Sequence, residues 1–232
     1  YAQWKSASLY LNHKYFKKEG DSAVIREIRP VLEVQKDCAV ITYRYRMPTV
    51  PESECMLAYA VFGSGEVRVT LSYEPAEGLS DMPEFGVMFK MDADYDCVEW
   101  YGLGPQETYA DRLTGAKLGI YHAKAGDLPE YLMPQECGMH AGVRYAKVTN
   151  RQGHGLKFTG NPMYFSALPY TPHELENAMH MYELPQAHYT VVRAALSQMG
   201  VAGDDSWGAV TQEEYLLDVS KRMEFTFSFT GC

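Results

Sequence analysis

The chain has 232 residues, is 46% hydrophobic and 13% aromatic, and carries a net charge of −9. That length suits one large all-β domain or two small ones and is ample to bury a core. An acidic balance with no Lys/Arg-rich block excludes nucleic acid as a partner. No apolar run approaches the roughly 18 residues that would predict a membrane-spanning helix.

Tyr1 stands first in place of Met and no secretory leader follows, so the chain is expected to be cut from something longer, its compartment open. The charged stretch Lys14 to Asp21 reads as a loose surface connection. Short strands are predicted at Val24–Ile28 and Val31–Gln35. A clear strand then follows, with Ala39, Ile41, Tyr43, Tyr45 and Met47 on one face and Thr42, Arg44 and Arg46 on the other. Val67, Val69, Leu71 and Tyr73 alternate in the same way, as do Phe85, Val87, Phe89 and Met91, and Met223, Phe225, Phe227 and Phe229. Shorter strands are predicted at Val98–Tyr101, Val143–Val148, Leu156–Thr159, Met163–Leu168, Tyr189–Arg193 and Tyr215–Val219. Gly63-Ser64-Gly65 and Asn150-Arg151-Gln152-Gly153 carry hairpin-turn chemistry.

One helix is expected near 172–183. Thr171 offers an N-cap, Pro172 the first helical position and Glu174 the reciprocal cap, followed by Leu175, Ala178, Met179 and Tyr182 at helical spacing, with Pro185 as the limit. One short helix among a dozen strands predicts a large antiparallel β-sandwich, read as a single domain over 1–232.

Several candidate chemistries fall away on spacing. Asp92-Ala93-Asp94-Tyr95-Asp96 opens like a calcium loop, but Cys97 and Leu103 stand where Gly and Glu are required, so a polar β-turn is the reading. Gly102-Leu103-Gly104-Pro105 lacks the third glycine and the helix of a dinucleotide site. The five cysteines are odd in number with no C-x-x-C pair, and the seven histidines lack metal-ligand spacing on a helix. His140 or His188, if joined to a glutamate, could run proton transfer on a sugar ring.

The acidic turn Gly203-Asp204-Asp205-Ser206-Trp207 delivers one of only three tryptophans. Either this indole plugs the end of a core, or it is mounted on a loop as a platform for the C–H face of a sugar. Asp204 and Asp205 are adjacent and point to opposite sides. They therefore suit bracing of the turn rather than the facing carboxylates of glycoside hydrolysis.

Three segments in order settle the preference. Glu99-Trp100-Tyr101-Gly102-Leu103-Gly104-Pro105-Gln106-Glu107-Thr108-Tyr109-Ala110-Asp111-Arg112 resembles the W-x-G-x-G-P-x-E-x-Y-x-D-R signature of the C-terminal domain of family 2 glycoside hydrolases of the β-galactosidase type. Pro134-Gln135-Glu136-Cys137-Gly138 and Gly203-Asp204-Asp205-Ser206-Trp207 resemble two further elements of that domain, and Gln3-Trp4-Lys5 is a weaker match. The resemblance implies a supersandwich of the galactose mutarotase type. It implies that Trp207, supported by Gly203, Asp204, Asp205 and Ser206, is the substrate-contact residue, partly exposed and on a mobile loop when the chain is taken alone. Glu107, Tyr109, Asp111 and Arg112 would form an ion-pair and hydrogen-bond brace.

The catalytic glutamates and the magnesium ligands of that family belong to a (β/α)₈ barrel, for which this chain has no alternating strands and helices. The implied partners are that barrel, the other domains of a homo-oligomeric enzyme and a galactoside; no catalytic residue, metal or cofactor is expected in this chain. Two other classes stay open on the residues alone: a free-standing epimerase of the mutarotase type, and a carbohydrate-binding or structural module.

Overall fold

In a computed structural model, Trp4 and residues 14–19, 22–27, 29–47, 49–205 and 207–232 are described. Their architecture is all-β and antiparallel, a β-sandwich with one short α-helix. The chain falls into two compact units. One comprises Tyr1–Pro83 with Leu217–Thr226, the other Glu84–Leu216 with Phe227–Cys232.

In the first unit, β1 (Lys14–Glu19) and β2 (Ser22–Glu27) form a two-stranded antiparallel sheet. The loose connection expected from Lys14 is therefore a strand as far as Glu19, while Asp21 and Ile28 lie outside the described residues. A meander follows through β3 (Val31–Val34), β4 (Cys38–Met47), β5 (Ser53–Phe62) and β6 (Val67–Glu74). Tyr45 and Met47 of β4 are buried and Arg44 and Arg46 exposed, as alternation requires. Gly65, with φ of 88°, closes the β5–β6 hairpin by donating to the Phe62 carbonyl. The predicted strand at Tyr215–Val219 does not form. Tyr215 ends a short 3₁₀ turn, Glu213–Tyr215, and Leu217 makes only an isolated bridge to Met82.

In the second unit the strand order is β7 (Glu84–Asp92), β12 (Tyr189–Gln198), β11 (Gly155–Leu168), β10 (His140–Thr149), β8 (Cys97–Gly104) and β9 (Lys117–Lys124). The two short strands predicted at Leu156–Thr159 and Met163–Leu168 are one, β11. Its first half pairs residues 227–231 of β13 (Met223–Gly231) and its second half pairs β12. Phe89 of β7 packs on Phe158 of β11 with ring centroids 5.4 Å apart, and Phe158 on Phe165 at 5.5 Å, which builds the apolar interior between strands. The Asn150–Gly153 turn closes β10 onto β11 as expected.

Helix α1 runs only from Pro172 to Asn177. Its capping box forms as read, Thr171 Oγ1 accepting from Glu174 N and Glu174 reaching back to Thr171 N. It ends early because Glu183 competes for the next amides: its carboxylate accepts from Met179 N at 2.7 Å and from His180 N at 3.3 Å. Met179 and Tyr182, placed at helical spacing in the expected helix, lie beyond its end and are exposed, while Leu175 and Ala178 are buried.

Candidate functional site

The site grows from the end of β8. Trp100 is buried, donates its indole N–H to the Leu103 carbonyl at 3.0 Å, and stacks on the His140 ring at 3.9 Å. Gly102 is required there: a Cβ would lie 2.9 Å from the Val143 Cα on the neighbouring strand. Beyond β8, the buried Thr108 pins the segment to β10 through Thr108 N to Met139 O and Ala141 N to Thr108 Oγ1, both 2.7 Å.

The next residues form the brace. Glu107 accepts from Gly138 N at 2.7 Å and from the Tyr131 hydroxyl, while Arg112 donates twice to that hydroxyl at 3.2 Å and pairs Glu107 at 3.5 Å. Tyr109, fully buried, donates to Glu136 Oε1 at 3.1 Å. Asp111 has a different task. Its carboxylate accepts from Val201 N at 3.1 Å and Ala202 N at 2.7 Å, so it holds the stem of the loop that leads to Trp207.

Sequence reading missed the centre of this network, Arg193. It is buried on β12, and its guanidinium grips Glu136 through two nitrogens (3.0 and 2.6 Å), Glu84 at 3.0 Å and Ser166 Oγ at 2.9 Å. The signal was available: an arginine in the middle of the apolar strand run Thr190-Val191-Val192-Arg193-Ala194-Ala195 must find buried acceptors. Burial pulls the guanidinium toward losing its proton, but Glu136 and Glu84 outweigh that and raise its pKa. Burial also raises the Glu84 carboxyl against the pull of Arg193. The Tyr109 hydroxyl is raised by burial and then by the charges of Glu136 and Glu107, and so stays a proton donor.

The loop after β12 is fixed locally as well. Gly200 donates to the Tyr215 carbonyl at 3.0 Å and its own carbonyl accepts from Thr211 Oγ1 at 2.8 Å. Ala202 and Gly203 both take positive φ, 54° and 95°, which turns the chain sharply outward. Asp205 Oδ1 then accepts from Trp207 N at 2.8 Å and Ala209 N at 3.1 Å, the turn brace expected of it. Asp204 is exposed and faces a cavity, and Ser206 lies outside the described residues. Trp207 is 92% exposed, against 6% for Trp4 and 3% for Trp100, so it plugs no core in this structure.

All three signature segments meet around that cavity, of about 570 Å³. Asp111 and Arg112 come from the first, Gln135 and Glu136 from the second, and Val201 to Asp204 from the loop; Tyr131, Gln212 and Tyr215 complete the wall. His140 and His188 do not join it. His140 sits against Trp100 with its pKa lowered by burial to about 4, and His188 is exposed; neither pairs with a glutamate among the described residues. No group of three or more His, Cys, Asp or Glu side chains that could hold a metal occurs among the described residues, and all five cysteines are free thiols.

The family described as beta galactosidase small chain matches residues 1–229. A beta-galactosidase of Halalkalibacterium halodurans is 43% identical over 193 residues, which cover 81% of this chain and 19% of that protein. A beta-galactosidase small subunit of Latilactobacillus sakei is 34% identical over 202 residues, covering 82% of this chain and 63% of the subunit. The solved structure of a galactose mutarotase related enzyme from Lactobacillus acidophilus overlays 95% of this chain and 78% of its own at 9% identity, with a TM-score of 0.40. The chain thus spans about a fifth of the length of the first of these relatives. From its first signature segment to its exposed indole, this chain belongs to the beta galactosidase small chain family.

Proposed function

We propose that this chain is the C-terminal, small-chain part of a retaining β-galactosidase of glycoside hydrolase family 2, and that it presents Trp207 to a galactoside bound on a catalytic barrel carried elsewhere. The observation that carries this reading is the exposure of Trp207 on a braced loop. Leaving an indole in water forgoes roughly 2–3 kcal/mol of burial, so a loop that does so while Asp205 braces its turn suits a ring held for a ligand.

In the whole enzyme a barrel carboxylate attacks the anomeric carbon and an acid protonates the leaving oxygen. Of the three carboxylates that line the cavity, Glu136 is committed to Arg193 and Tyr109 and Asp111 to two backbone amides, which leaves Asp204 without the second facing carboxylate that glycoside hydrolysis needs. On this reading the catalytic acid and the nucleophile both lie on the barrel, and this chain is inactive alone. The magnesium of the family belongs to the barrel, and no step here runs through it. A large catalytic chain or domain is the partner, in a homo-oligomeric enzyme.

Stacking of the leaving sugar on the indole contributes about 1–3 kcal/mol by analogy with base–aromatic stacking. In the intact enzyme, Trp207→Ala raises KM for lactose more than it lowers kcat, and weakens lactose turnover more than turnover of an aryl galactoside with a good leaving group. Equal losses on the two substrates, or none, would sink this role.

A further inference from the structure

All three signature segments help wall the cavity of about 570 Å³, and the Trp207 ring is not part of that wall. We propose that this cavity is a second carbohydrate site, distinct from the Trp207 ring, which takes a sugar unit of a neutral saccharide by hydrogen bonding.

Its size lies within the roughly 300–1,000 Å³ of small-molecule sites. Its chemistry then excludes ligand classes in turn. An apolar ligand finds little aliphatic wall, since Val201 and Ala202 alone supply it beside the backbone of Gly203. An anion meets the carboxylates of Asp111, Glu136 and Asp204. A metal ion lacks a set of three ligands among the described residues.

What remains on offer is a set of hydrogen-bond donors and acceptors. Asp111 and Glu136 spend their oxygens on Val201, Ala202, Tyr109 and Arg193, leaving Asp204 as the acceptor with no partner among the described residues. Arg112 has five N–H donors and gives two to Tyr131. The Gln135 and Gln212 amides each donate and accept, and Gln212 makes no capping bond to the 3₁₀ turn it precedes. One acceptor, one donor fork and two amides around a wet cavity match neighbouring hydroxyls, each of which gives and takes a hydrogen bond. Gly203 and Asp204 belong at once to the cavity wall and to the loop bearing Trp207. The choice of a saccharide over another polyol rests on the galactosidase reading.

The test is calorimetric titration of the intact enzyme with the S-linked, hydrolysis-resistant analogue of lactose. Two classes of site per copy are expected in the wild type. Gln135→Ala combined with Gln212→Ala weakens one class about tenfold or more. Asp204→Asn weakens the same class, and unfolding midpoints check that each variant is folded. Trp207→Ala weakens the other class. A single class in the wild type, or two classes that the cavity variants leave unchanged, overturns the proposal. Should the cavity variants act while Trp207→Ala leaves the lactose and aryl galactoside rates alike, the second site stands and the role given to Trp207 falls.

Discussion

Asp111 holds Ala202 across 91 positions of sequence, its Oδ2 accepting from the Ala202 amide at 2.7 Å where that residue takes a φ of 54°. A non-glycine residue in this region costs of order 1 kcal/mol and persists only where surrounding bonds impose it. The carboxylate, taking the Val201 amide as well, is what imposes it. The last residues of one signature segment thereby set where the loop of another begins.

Asp111→Ala should therefore act as a partial loss of Trp207. Two hydrogen bonds to a charged acceptor are worth roughly 1.5–3 kcal/mol each, and the loop stem relaxes without them. In the intact enzyme kcat/KM for lactose falls about tenfold or more, the aryl galactoside rate falls less, and Asp111→Asn, which keeps an acceptor oxygen, recovers part of the difference. Gly200→Ala gives the same pattern, because its Cβ would lie 2.5 Å from Asp111 Oδ2. Equal losses on both substrates would point to general damage instead.

Arg193→Met leaves Glu84 and Glu136, both half-buried, without the buried cation they share. Breaking a fully buried pair on one side costs about 3–5 kcal/mol, an upper bound for these half-buried carboxylates. Urea unfolding at neutral pH should show that loss. Adding Glu84→Gln to the variant restores part of it, since one of the stranded charges is then removed; no recovery in the double variant would refute the shared-charge account.

His140 makes stability depend on pH. Its folded pKa of about 4 lies below the ordinary 6.5, so between those values the unfolded chain binds the extra proton and the folded chain does not. Stability is thus lost as pH falls through this window, by about 2 kcal/mol at pH 5 from this group. Comparing His140→Phe with wild type at pH 7 and pH 5, the variant should lose less over the interval. Identical slopes would contradict the burial of a neutral ring against Trp100.

Trp207→Ala should leave the unfolding free energy within about 0.5 kcal/mol, as expected for an exposed side chain. Trp100→Ala should cost about 3–5 kcal/mol by removing a buried ring. A matching loss in the two variants would mean that Trp207 is covered by other parts of the chain in solution.

Legibility in the sequence followed the number of faces a strand buries. β4, β7 and β13 each bury one face more than the other, so their alternation was plain. β5 escaped because Ser53-Glu54-Cys55-Met56-Leu57-Ala58-Tyr59-Ala60-Val61-Phe62 is nearly all apolar and half-buried on both sides, and β9 because it is an exposed edge with little apolar run. The helix cap was read from three residues, but its end depended on Glu183 outcompeting the backbone, which no periodicity reveals. Partial exposure of Trp207 was expected from the resemblance, and the structure leaves the ring almost wholly exposed. Arg193 and the meeting of three distant segments around one cavity are tertiary facts, since Glu84 and Glu136 lie 109 and 57 positions away.

The two aspartates that govern the indole divide the work unequally in sequence distance. Asp205 orients it from within the turn, and Asp111 anchors the turn from 91 positions away. An engineer who transplants residues 203–209 into another sandwich would carry the aim of the ring but not its address. Only a host that already offers a carboxylate opposite the stem would display the tryptophan in the same place.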